Sequence, residues 1–354
     1  MFSTQIVQFL NFFDLFAYNS GFSKLSQYQN FTCLMSTFHI SIAIFLTLFQ
    51  FYMIPEYYAS LSTIEIISES VQYSSPLFTL WLIIFDSIYH RRAHQCFWET
   101  LQEINKYYNS QATYNFRNYL IQFLEFFSVD AIIVLMRLLE ENFGVGFAYH
   151  TLFNLSQIRL FYYLFCVEVV SFHFKEICKE LKLVKRIHTE TSTYISRLKW
   201  IREYYGRISK MQQLLNQFFG WSHVAVITYC FYHVLTELTW IYIHFNESPI
   251  VQNIRMSVLA IHCHLISFYL FHSAARCCAT VRHIIDLVGD IGFNFYNDEN
   301  ELQTEITQLY LVHHHVWFHA RGMFLINIGT FLKFSGAVII YLIIFIQCIE
   351  TFAK

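Results

Sequence analysis

Charge is scarce in this sequence. Only 14% of its 354 residues are Asp, Glu, Lys or Arg, against roughly 25% in ordinary soluble domains, while 55% are hydrophobic and 19% aromatic. A chain so poor in polar groups cannot clothe a globule of this size, so its apolar excess must face lipid. The same composition excludes an intrinsically disordered chain. With a net charge of −2 and no basic stripe interleaved with aromatics, nucleic acid is excluded as a partner. The nine cysteines are odd in number and contain no C-x-x-C pair, which signals neither a disulfide framework nor a zinc cage. P-loop, G-x-S-x-G, H-E-x-x-H, C-x-x-C-H and kinase signatures are missing. No enzyme, catalytic residue or cofactor is therefore expected. The first residues lack the positive region of a cleaved signal peptide, so the first span is expected to direct insertion.

What the chain does have is long apolar runs. Crossing about 30 Å of hydrocarbon takes roughly 20 helical residues, and seven segments qualify: 31–54, 71–89, 118–139, 145–174, 215–245, 251–276 and 323–350. None alternates with the period of a barrel strand, so the expected fold is all-α, a polytopic membrane protein of seven transmembrane helices in one domain, 1–354. The apolar stretch from Gln5 to Tyr18 is short and carries Asp14, so it reads as an interfacial or packed helix. Arg91, Arg92, Lys106 and Arg117 follow the second span. Ten more cations run from Lys175 to Lys210, and Arg276, Arg282 and Arg321 border the sixth-to-seventh connection. The connections 55–70, 140–144 and 246–250 hold none. Positive charge stays on the cytoplasmic side, which puts the N-terminus inside and the C-terminus outside; Arg137 alone cuts against the count. Ile177, Leu181, Val184 and Ile187 recur at helical spacing, so helical cytoplasmic extensions are expected over 175–214 and 277–322. The basic residues read as a solvated face near anionic lipid, and Asn297 to Glu301 as a polar loop tip.

Ionisable groups inside spans are costly and should face the protein interior. Asp130 and Arg159 are both expected near mid-membrane, and Glu237 and Arg255 both toward the outside, which suggests two complementary pairs; Glu125 and Glu168 fall near the inner side. Each pair serves equally well as an inter-helix staple or as the polar floor of a ligand pocket. Tyr73 and Trp240, aromatic and in the same outer halves, complete the pocket candidates. Of the 17 histidines, His262 and His264 flank Cys263, and His315 pairs with His319 at i, i+4 spacing. With no third ligand or carboxylate base at matching spacing, inter-helix hydrogen bonding is the expectation and a metal site is not.

The end of the chain is the most informative stretch. It contains Ala320-Arg-Gly-Met-Phe324 and then Tyr341, five apolar residues and Gln347. This resembles the C-terminal signature of the insect gustatory receptor family, an A-x-G-[LM]-F block at the foot of the last helix followed by T-Y, five apolar residues and Q-F. The Thr position is Ile340 and the Phe position Cys348. The resemblance implies a ligand-gated cation channel of the plasma membrane, a homo- or hetero-tetramer. A small-molecule ligand would bind from outside among the second to sixth helices. It also implies that the seventh helix lines the pore, with Ile344 and Gln347 facing it; Ile340 and Tyr341 share their helical stripe at spacings of three and four and are expected to line it too. A membrane transporter, or a haem- or metal-linked redox protein built on the intramembrane His and charges, is the alternative from another class. A G-protein-coupled receptor is disfavoured by the orientation and by prolines at 55, 76 and 249 only, none of them where a late-helix kink needs one.

Overall fold

The computed structural model describes residues 41, 43–45, 47–48, 52, 63–107, 124–125, 127–129, 131–133, 135, 143–186, 191–245, 250–292 and 298–352. Most of the first and third expected spans, with Asp130 and Ile187, lie outside that set. The described chain is helical apart from one short hairpin and the segment that leads into it: α1 (Thr63–Tyr89), α2 (Arg91–Tyr107), α3 (Phe143–Arg186), α4 (Thr191–His244), α5 (Ile250–Gly292), α6 (Asp298–His313), β1 (His319–Ala320), β2 (Phe324–Leu325) and α7 (Ile328–Phe352). Among these, α4, α5 and α7 contain stretches long and apolar enough to cross a membrane, and Ser74–Tyr89 is a shorter apolar helix. At 1.5 Å per residue, the 54 residues of α4 extend about 80 Å. That is more than twice the hydrocarbon thickness, so much of the helix stands outside the bilayer. α3, with 44 residues, and α5, with 43, run long for the same reason.

The ends of these three helices that carry the basic residues pack by a regular rule. Ile177, Leu181 and Val184 of α3 are buried. So are Tyr194, Leu198, Ile201, Tyr205 and Ile208 of α4, and Cys277, Val281, Ile284, Val288 and Ile291 of α5. The steps of three and four are those of knobs-into-holes packing between long helices. Outside the bilayer, water drives this burial, at about 1.5–3 kcal/mol for each large apolar side chain; between helices in lipid that term vanishes and close packing must serve instead. α4 is the hub, packing against α1, α2, α3, α5, α6, α7 and β1.

Two elements depart from the sequence expectation. The acidic run at Asn297 to Glu301 is not a loop tip throughout: Asp298, Glu299 and Glu301 form the first turn of α6, where carboxylates offset the positive end of the helix dipole. The seventh helix begins at Ile328 rather than Met323. Ahead of it the A-x-G-[LM]-F block folds into a hairpin pairing Ala320 with Phe324 and His319 with Leu325. Arg321 and Gly322 have φ of 51° and 77°, and the Met323 N–H donates to the Ala320 carbonyl at 2.9 Å. Two positive φ values in succession define the turn that matches strand twist, and glycine reaches them without strain. Asn327 then starts α7, its side chain accepting the Thr330 N–H at 2.9 Å, an ordinary N-cap.

Candidate functional site

α7 touches the rest of the chain along one face. Phe331, Phe334 and Val338 are buried; Phe331 packs on Phe268 and Phe271 of α5, and Phe334 on Phe231 of α4. Advancing about 100° per residue, Ile340, Ile344 and Gln347 fall on the side opposite Val338, and all three are exposed. Tyr341 lies on the flank of the packed face instead, half-exposed, its ring edge-on to Phe231 at 5.8 Å. Only 17% of the most apolar window of α7 is buried, against 56% in α4 and in α5. A helix so apolar and so little covered by its own chain needs another apolar surface.

α6 repeats that pattern in inverted form. Its buried stripe is Asn300, Thr304, Thr307 and Leu311, while Leu302, Ile306, Leu309 and Val312 face outward. The polar stripe is accommodated because each threonine hydroxyl donates to the carbonyl one turn back and Thr304 also bonds the Tyr194 hydroxyl at 2.6 Å. Burial raises the Tyr194 hydroxyl pKa, partly offset by that Thr304 bond.

Near the short connection between α4 and α5, Glu237 of α4 and Arg255 of α5 are both almost fully buried, and His233 Nδ1 stands 3.7 Å from the Glu237 carboxylate. Trp240 is half-buried about one turn closer to that connection. Tyr73 belongs to α1, its side chain outside the described set, as is Asp130. Among the described residues, a cleft of about 400 Å³ opens far from these groups, on the half of α4 that carries Arg207 and Lys210, facing Tyr310 of α6 and His314 just beyond it. That cleft is open and solvent-facing.

Arg159, sixteen residues from the start of α3 and so about 24 Å along the helix, meets α4: it donates to the Phe218 carbonyl at 2.9 Å and to the Ser222 hydroxyl at 3.3 Å. Its guanidinium sits 3.9 Å over the Phe218 ring and 4.3 Å over Phe219. From the other side Asp86 of α1 accepts the Ser222 N–H and hydroxyl, each at 2.8 Å, with His90 Nδ1 at 2.9 Å. Sequence reasoning missed Asp86 because a carboxylate three residues from a helix end reads as a boundary charge.

The histidines serve as inter-helix bonds. His262 meets Gln157 of α3 at 3.0 Å, and His264 meets Ser335 of α7 at 3.3 Å. Glu168 of α3 is half-buried and paired with Arg276 and Lys175.

A family model described as 7tm Chemosensory receptor matches residues 4–352. The structure of the insect olfactory receptor OR5 from Machilis hrabei in complex with eugenol aligns with a TM-score of 0.71 over 98% of both chains, at 9% identity. A second structure of the same receptor aligns at 0.69 over 98% of this chain and 99% of that one, at 11% identity. At such identities the likeness is one of fold. Comparison with curated proteins gives no significant match. A helical membrane chain with a sparsely covered last helix, matched by one family model over nearly its whole length, belongs to the 7tm chemosensory receptor family.

Proposed function

We propose that this chain is a gustatory-type receptor of the plasma membrane and forms a subunit of a ligand-gated cation channel, with its N-terminus cytoplasmic and its C-terminus extracellular. The observation that carries the reading is the exposed face of α7: an apolar helix left mostly uncovered, with Ile340, Ile344 and Gln347 opposite its packed side. Around a symmetry axis such a face lines a conduit. A ring of Ile344 closes it by excluding water, and a ring of Gln347 amides replaces part of an ion's hydration shell as it widens. The outward apolar stripe of α6 supports assembly of four like chains, because water leaves such a stripe covered only in an oligomer. The ligand is a small molecule held in the outer halves of the second to sixth spans, near Glu237, Arg255, Trp240 and Tyr73, where buried charge orients a polar group beside aromatic surface. The eugenol complex of the OR5 structure supports a ligand of that size class.

Whole-cell recording from cells expressing the full chain, with a panel of tastants and volatile phenols, tests this reading. Agonist-evoked current reversing near 0 mV is expected. Surface-expressed protein that carries no current alone or with related subunits would overturn it.

A further inference from the structure

The segment 314–318, between α6 and the hairpin, belongs to neither a helix nor a strand, yet its backbone groups need partners. They are supplied by side chains of the long helices. Tyr205 of α4 donates to the His314 carbonyl at 2.9 Å, and the Cys278 thiol of α5 to the Val316 carbonyl at 3.4 Å. The Trp317 carbonyl accepts two amide donors, Gln212 Nε2 at 2.6 Å and Asn216 Nδ2 at 2.7 Å. Asn216 closes the other end of the grip with its oxygen, which accepts the His319 N–H at 3.3 Å. One turn further along the same stripe of α4 stands Gly220, where a Cβ would lie 3.2 Å from the Arg321 nitrogen and 3.4 Å from its Cα. The stripe 212, 216, 220 is thus two amides and a missing side chain, all facing the connector that carries α7.

Resting on the channel reading above, we infer that Gln212, Asn216 and Gly220 are positioning residues of the gate: they lock the root of α7 to α4, so that movement of α4 is transmitted to the pore helix. α4 suits that role, since its outer half holds Glu237 and Trp240. Its Phe218 carbonyl and Ser222 N–H, which flank Gly220, are also held by Arg159 of α3 and Asp86 of α1, so this stretch of α4 is tied to both neighbouring helices as well as to the connector. Asn216 can be replaced by no side chain of the same length that both donates to Trp317 and accepts from His319.

Two measurements on the full chain test the inference. In single-channel recording, Asn216→Ala and Gln212→Ala are expected to change the ratio of unliganded open to closed time by about five- to tenfold for each grip removed. Gly220→Ala, which wedges the hairpin away, is expected to shift it as well, and in all three conductance and reversal potential stay at wild-type values. In hydrogen exchange of the purified protein, Asn216→Ala is expected to accelerate amides 314–327 and the first turn of α7 while α4 and α5 remain protected. Wild-type protein that passes no current overturns the channel reading, whereas the exchange result still reports on the grip. Currents with unaltered open-time ratios in all three variants, or unchanged exchange across 314–331, overturn this inference alone.

Discussion

Replacing Asp86 by alanine is expected to destabilise the helical assembly more than any single core truncation of similar size. The carboxylate is fully buried and accepts two bonds of 2.8 Å, from the backbone and the hydroxyl of Ser222. Hydrogen bonds to a charged group are worth about 1.5–3 kcal/mol each, so the gross loss is about 3–6 kcal/mol. Part returns if the Ser222 N–H falls back on the Phe218 carbonyl, one turn away. That carbonyl also accepts from the Arg159 guanidinium, which competes for it, so the return is small. A net cost of about 3 kcal/mol is a large share of the 5–15 kcal/mol that typically separates folded from unfolded protein. Fluorescence-detected size exclusion after a temperature ramp reads the effect as a lowered melting midpoint. Ser222→Ala, which removes the hydroxyl but not the backbone donor, should cost less, and the double variant should cost less than the two added together. An Asp86→Ala midpoint equal to wild type, or strict additivity with Ser222→Ala, would refute the reasoning.

Three further outcomes follow from the same geometry. Ile344→Ser should raise unliganded leak by wetting the constriction, and Gln347→Glu should shift permeability toward divalent cations; reversal potentials in calcium-rich solution check both. Glu237→Ala and Arg255→Ala should be non-additive in agonist half-effective concentration if the two buried charges work together, and independence in a double-mutant cycle would dissolve the pair. His94 of α2 is buried against Tyr162, Trp98 and Phe218; burial first, then the Arg159 charge, pushes its pKa well below the ordinary value. Only the unfolded chain then takes up a proton as pH falls through about 6.5, so stability present above that pH is lost below it, at up to about 1.4 kcal/mol per pH unit. Melting midpoints should fall between pH 7.5 and 5.5 in the wild type and fall less in His94→Gln.

The helical class and the long extensions were legible because apolar runs and the three-and-four spacing of Ile177, Leu181 and Val184 are local signals. The terminal signature was legible as a pattern but not as a shape. Residues 323–326 are all apolar and the run resumes after Asn327, so hydropathy does not separate a hairpin from a helix, whereas the pair of positive φ values at Arg321 and Gly322 does. Gln212 and Asn216 were invisible for another reason. Amides on a basic helix read as a solvated face, and their partners are backbone atoms a hundred residues away. The α4 partners of Arg159 were not legible because a tally of residues along a span ignores which neighbour the helix meets, and the arginine donates to Phe218 and Ser222.

Cysteine accessibility along α7 tests the central claim most directly. In a Cys348→Ser background, single cysteines at Ile340, Ile344 and Gln347 and at Phe331, Phe334 and Val338 would each be exposed to a membrane-impermeant cationic thiol reagent, applied from outside during recording. The account predicts rapid modification and block at 347, modification at 344 and 340 that quickens when the channel is open, and no effect at 331, 334 or 338. Block from the packed face with silence at 340, 344 and 347 would contradict it.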